Sequence, residues 1–366
     1  MAAGCRHPSP LRRSSAQTSA NGLNLRACAG TLLSVNFRPL SLLLAAVLFA
    51  AIAAGAESIN GRTYVALTSW ARANGFVCRL ADHGAEFVLT NRTSKLIFDQ
   101  DSADSTINGV SVRLSYPVAK GGLVSQLDLD KTVRPLVFSQ RATAKRIRTI
   151  CLDPGHGGRD TGNRVGRFFA HSEKTYTLDL ALELRRQLQA AGFNVILTRD
   201  KDVYPELSDR PALANRRGAD LFISLHFNTS PSDASSVQGP ETYCITPVGA
   251  ASSNDSEGVG AGHSACPANR YEDKSLLLAY QVQRSLVRSL SANDRSVRRA
   301  RFEVLRTAQM PAILIEGGYM SHPTEGRKIF DAGYRKQMAS AIVRAIQNYQ
   351  KATAPTSVAE TNNAAH

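Results

Sequence analysis

Four ionisable side chains stand where secondary-structure elements should begin or end. His156 follows an apolar run in Asp153-Pro154-Gly155-His156-Gly157-Gly158, and His226 closes the apolar run 221–225. Glu316 closes the run 312–315 and is followed by Gly317-Gly318, while Glu173 opens a helical pattern after the glycine-rich loop. Two imidazoles and one carboxylate make a zinc set that leaves a fourth position open for water. Zinc in such a set lowers the pKa of its water to about 7 and polarises a carbonyl. A second carboxylate nearby can then take and return a proton. No helical His-Glu-x-x-His pair is present, so the zinc-protease arrangement of that kind is excluded. Each residue alone has a structural reading: a histidine at a strand end as a hydrogen-bonding group, a glutamate at a helix start as a partner of the helix dipole. The chemical signal lies in their combination, with glycines clearing space beside His156 and Glu316.

The elements that must carry these residues follow from the apolar periodicity. From residue 147 onward strands alternate with helices: strands at 147–152, 193–198, 221–225, 241–246, 302–305 and 312–315, helices at 174–191, 209–217, 274–290 and 334–350. This alternation predicts an α/β domain over residues 147–351, with a mostly parallel sheet flanked by helices. Ligands in such sheets bind beyond the carboxyl ends of the strands, where His156, His226 and Glu316 stand. Right-handed crossover geometry brings Glu173 to the same edge. Residues 57–140 read as a small strand-rich α+β module, with apolar runs at 64–67, 86–89, 95–98 and 110–114 and a turn at Asn108-Gly109. Residues 141–146 are a basic linker. The Gly, Ser and Asn-rich stretch 247–270 is long enough to be a lid or an insertion, and the polar tail 352–366 is expected to be disordered.

Residues 1–56 read as a leader. An apolar run at 40–54 follows Arg38 and ends in Ala54-Gly55-Ala56, a secretory segment too short to span a bilayer, with cleavage expected after Ala56. The mature product is therefore expected in the periplasm or otherwise exported, with no stable membrane anchor. The formal net charge is +14; five arginines and no acidic residue precede Glu57, so the product keeps +9. Such an excess favours an anionic polymer or surface. Export and the absence of a binding motif exclude nucleic acid from this reading. Cys78, Cys151, Cys244 and Cys266 form no CxxC pair and are expected to be small buried residues.

The residues now carry a family likeness. Residues 147–350 resemble the zinc-dependent N-acetylmuramoyl-L-alanine amidases of amidase type 3. The matching blocks, in order, are 152–158, Glu173-Lys174 leading to Leu178, Arg210 with Ala214-Asn215, 219–226 with Asn228, and 310–322. By position, the resemblance implies His156, Glu173 and His226 as zinc ligands and Glu316 as the catalytic glutamate. It implies hydrolysis of the amide between N-acetylmuramic acid and L-alanine in peptidoglycan. Asn228, Arg210, Gly317 and Gly318 are the expected substrate contacts. Two departures stand beside the site, His322 where the family usually has asparagine and Gly318 where it often has a bulkier residue, and both are expected to alter substrate fit. Residues 57–140 resemble, more weakly, the copper-amine-oxidase-like N-terminal domain, without a histidine cluster for copper. Peptidoglycan is the expected partner, and a protein regulator is not identifiable. The competing readings are a non-catalytic wall-binding protein, or another zinc amidohydrolase or carboxypeptidase of the wall.

Overall fold

The computed structural model describes residues 56–138, 146–167, 170–230, 232–252 and 264–354. The leader, most of the linker and nearly all of the tail lie outside these residues. β1 (Ala56–Ile59) and β2 (Arg62–Ala66) form a hairpin through Asn60-Gly61, both at positive φ, as a two-residue turn of matching twist requires. α1 (Leu67–Ala73) buries Leu67, Trp70 and Ala71. An antiparallel meander follows: β3 (Val77–Ala81), β4 (Glu86–Thr90), β5 (Lys95–Asp99), β6 (Asp104–Ile107) and β7 (Val110–Arg113). Its strands bury alternate residues, Phe87 with Leu89 and Leu96 with Phe98, as a sheet covered on one face demands. β8 (Leu123–Ser125) returns to pair with β2.

The second half supplies β9 (Thr149–Pro154), the short hairpin β10 (Arg164–Val165) and β11 (His171–Ser172), α2 (Glu173–Ala190), β12 (Asn194–Leu197) and α3 (Asp209–Arg216). It continues with β13 (Leu221–Asn228), β14 (Glu241–Cys244), α4 (Glu272–Leu290), β15 (Val297–Arg299), α5 (Glu303–Arg306), β16 (Ala312–Tyr319), α6 (Glu325–Phe330) and α7 (Ala332–Thr353). Strands β12, β9, β13 and β16 are parallel neighbours in that order. β13 is buried from Leu221 through Leu225 because helices cover both faces. Side-chain alternation sends Ile150, Leu152, Ile223 and Leu225 toward α2, α4 and α7. Cys151 and Phe222 point to the other face, against Ala214 of α3 and Leu305 of α5. All four described cysteines are free thiols, Cys151 and Cys244 buried. No helix among the described residues is long and apolar enough to cross a membrane.

Two features depart from the sequence reading. Residues 302–305, expected as a strand, are the extended N-cap residue Phe302 and the first three residues of helix α5; the strand is β15, three residues whose Arg298 and Arg299 made it read as polar. Arg299 is nonetheless buried, its guanidinium donating to the carbonyls of Ile245 and Lys131. The second is continuity. β14 runs antiparallel to β16, β15 parallel to β14, and Val297 of β15 pairs with Val112 of β7. The meander thereby extends the parallel sheet to eleven strands.

Candidate metal centre

β9 delivers His156 on a loop that is clamped from below. Asp153 is fully buried and accepts hydrogen bonds from Thr198 Oγ1 (2.6 Å), Ser224 Oγ (2.7 Å) and Arg210 Nη1 (2.9 Å). Two buried guanidiniums then hold the loop's carbonyls. Arg199 donates to Pro154 O (2.9 Å) and Gly155 O (2.8 Å), and Arg210 to Pro154 O and His156 O (each 3.1 Å). His156 itself sits at φ +61°, a left-handed conformation uncommon for a non-glycine residue, and the clamped carbonyls on either side hold it there. Two glycines are required by close approach. A Cβ on Gly155 would lie 2.3 Å from the His226 ring, and one on Gly162 2.5 Å from the His156 ring.

Glu173 joins the two histidines. Its Oε2 lies 3.0 Å from His156 Nε2 and its Oε1 3.0 Å from His226 Nδ1, and the candidate ligand atoms of the three residues all fall within 4.8 Å of one another. The carboxylate also accepts from the backbone N–H of Asn163 (2.9 Å) and Phe227 (3.0 Å). As the first residue of α2 it meets the positive end of the helix dipole. Burial alone would raise its pKa, but the His156 and His226 bonds and charges outweigh burial and hold it low. For His156 burial works downward, and the contacts with Glu173 and Asp160 reverse it, raising the pKa. Asp160 Oδ2 lies 2.8 Å from His156 Nδ1, which orients the ring with Nε2 toward the cluster.

Glu316 is the register partner of His226 on the neighbouring strand. Its Oε2 is shielded from solvent and has no hydrogen-bond partner among the described residues. Burial pushes its carboxyl well above the usual range, with the charges of Glu173 and Glu241 adding to the rise. The donor set fits zinc: two imidazoles, one carboxylate, and a carboxylate behind one imidazole. A partnerless carboxylate oxygen beside that set is where a proton-handling group would stand.

A family profile described as N-acetylmuramoyl-L-alanine amidase, Amidase_3, matches residues 150–348. The chain belongs to this family. Among curated relatives, the amidase AmiC of Neisseria meningitidis serogroup B is 34% identical over 228 residues, 56% of this chain and 53% of the relative. The amidase LytC of Bacillus subtilis is 33% identical over 194 residues, 53% of this chain and 34% of that protein. The chain thus spans about half the length of the first and about a third of the second. Among solved structures, the amidase AmiC2 of Nostoc punctiforme is 30% identical, covering 56% of this chain and 97% of that one, with a TM-score of 0.46.

Not every residue expected to contact substrate lies at the strand-end edge that carries His156, Glu173 and His226. Asn228 does lie at the same edge, half-buried, its Nδ2 3.3 Å from the Tyr319 hydroxyl. Arg210 does not contact that edge: it is 1% exposed, and its guanidinium is consumed by Asp153 and the loop carbonyls, so it positions His156 instead. Gly317 and Gly318 serve packing. A Cβ at 317 would meet Phe227 at 2.7 Å, and one at 318, where φ is +132°, would meet the Glu325 carboxyl at 2.7 Å. His322, expected to tune substrate fit, is buried and accepts the backbone N–H of Glu325 (3.1 Å) at the start of α6. The sequence reading missed Asp160, Arg199 and Glu241. Asp160 lies four residues after His156 and was the one within reach of a spacing argument.

Proposed function

We propose that the protein is a zinc-dependent peptidoglycan amidase, exported to the wall, that hydrolyses the amide between the lactyl group of N-acetylmuramic acid and L-alanine. The observation that carries this reading is the meeting of His156, Glu173 and His226 within 4.8 Å beside the unpartnered Oε2 of Glu316, in a chain of the amidase family. Those three residues would hold the metal. Zinc held there would supply Lewis acidity, able to polarise the amide carbonyl and to make water a nucleophile at neutral pH. Glu316 accepts the proton of the attacking water; its raised pKa matches it to that task and to returning the proton to the leaving alanine nitrogen. Oxygen from water joins the lactyl carbon, the carbon–nitrogen bond breaks, and the peptide leaves as a free amine. Asp160 and the Arg199–Arg210 clamp keep His156 in place throughout. The strands from Val77 to Arg113 continue the sheet, and the module that carries them serves as a wall-contacting flank.

The two glutamates separate the roles. Glu316→Gln keeps the shape and removes the base, so zinc stays bound while release of new amino termini from purified wall falls at least about 10²-fold. Glu173→Ala removes a ligand, so zinc content and turnover fall together. Loss of zinc from Glu316→Gln with full zinc and activity in Glu173→Ala would refute the assignment.

A further inference from the structure

The seam between α4 and α7 carries positive charge that the metal centre does not use. Arg284, Arg288 and Ser289 share a stripe on α4, and Arg344 and Asn348 face them from α7, lining a groove of about 480 Å³ with no carboxylate in its walls. Ser285 Oγ donates to Ala341 O and Arg344 Nη2 to Ser289 Oγ, each at 2.7 Å, which ties the two helices together beside the groove. Arg284 and Arg288 stand four apart on one helix, a like-charge spacing that destabilises it. Neither they nor Arg344 form an ion pair among the described residues. Among the described residues no carboxylate neutralises this cluster.

A second basic hollow lies farther along the same helix, toward the amino-terminal end of α7. This hollow, of about 550 Å³, opens where α4 ends at Leu290, and Arg327 and Lys328 of α6 line it with Asp331 and Tyr334. Asp331 is the one acid there, and its carboxylate is occupied in capping α7 through the Tyr334 N–H (2.8 Å). From Asn348 to Tyr334 the track follows fourteen residues of α7, a rise of about 21 Å. Its upper end lies beside α6, which follows β16, the strand that carries Glu316, after five residues. One small anion would need one or two of these cations. Five cations spread along this length suit a chain with anionic groups at intervals, and arginine suits carboxylates in particular because its fork pairs with them bidentately.

We propose that this track binds the carboxylate-bearing peptide stems of a wall-polymer strand, outside the metal centre, and so holds the polymer while one stem is cut. The inference rests on the amidase reading and is tested so that the two can fail separately. The full mature chain carrying Glu316→Gln is sedimented with purified peptidoglycan, with and without Arg284→Glu, Arg288→Glu and Arg344→Glu together. The charge reversal lowers affinity by about tenfold or more and flattens its salt dependence. In the chain with native Glu316, the same reversal leaves hydrolysis of a soluble muramoyl-peptide monomer within about twofold, since exposed charges far from the cluster contribute little there. Wall whose carboxylates have been amidated binds the unreversed chain about tenfold or more weakly than native wall does, a readout independent of how the variant folds. Unchanged binding after reversal, or equal binding to amidated wall, overturns the proposal, as does tighter binding to phosphatidylglycerol vesicles than to wall. If the chain with native Glu316 hydrolyses neither wall nor monomer, the amidase reading itself fails.

Discussion

Glu316 and Glu241 are register partners on β16 and β14, and their surroundings drive them in opposite directions. Burial alone would raise Glu241, but the charge of Arg298 and the bonds from Tyr243, Arg295 and Tyr319 outweigh it and lower its pKa. Glu316 has no such partners among the described residues, and burial raises it. Two carboxylates set apart by environment are the usual basis for dividing structural from proton-transfer roles. Because the folded pKa of Glu241 lies below the unfolded one, its stabilisation is present above the ordinary glutamate range, near 4.3, and is lost as pH falls. Glu241→Gln should therefore lower stability by about 2 kcal/mol at pH 7, and the gap in Tm to the parent should close as pH falls below about 4. A gap that persists unchanged at low pH would contradict this account of Glu241. His156, His226 and Glu316 were legible in sequence because each closes an apolar run. Glu241 was not, since its partners Arg295 and Tyr319 are 54 and 78 residues away and only the sheet brings them together.

At the scale of elements, the loop after β9 depends on a buried charge pair. Arg210 of α3 and Asp153 of β9 are both essentially unexposed and 2.9 Å apart. Removing one partner of a buried pair leaves the other uncompensated, and Arg210→Met should cost about 3 kcal/mol in chemical denaturation while weakening zinc retention through a loosened His156. A variant as stable as its parent, with zinc affinity unchanged, would show that the clamp is dispensable. The helices were readable to within a few residues: α2 was expected at 174–191 and is Glu173–Ala190, and α7 was expected at 334–350 and is Ala332–Thr353. Their apolar stripes are long enough to average out local noise. β15 was not readable, because three residues with two arginines give no alternation. Arg210 was misassigned for a related reason: helical spacing does not reveal that carbonyls and an aspartate await its guanidinium.

On the scale of the molecule, eleven strands form one sheet although composition divides the chain near residue 140. The join rests on the Val112–Val297 pair, on Ser111 N donating to Asp294 (2.8 Å), and on the Tyr280 hydroxyl donating to Ile107 O (2.9 Å). Such pairings span more than 170 residues and leave no local pattern, so sequence periodicity shows two modules where the backbone makes one layer. A chain beginning at residue 146 should expose the β15 edge and part of α4, and aggregate or melt well below the full protein. A monomeric fragment of unchanged Tm would contradict that dependence. The claim on which the functional account turns is the identity of the bond that is cut. Zinc-loaded protein acting on purified peptidoglycan in ¹⁸O-labelled water, with both products weighed by mass spectrometry, reads it directly. The account predicts one ¹⁸O in the lactyl carboxylate of the glycan and an unlabelled, intact stem peptide with a free L-alanine amine. Label in a peptide carboxylate, with the glycan unlabelled, would contradict it.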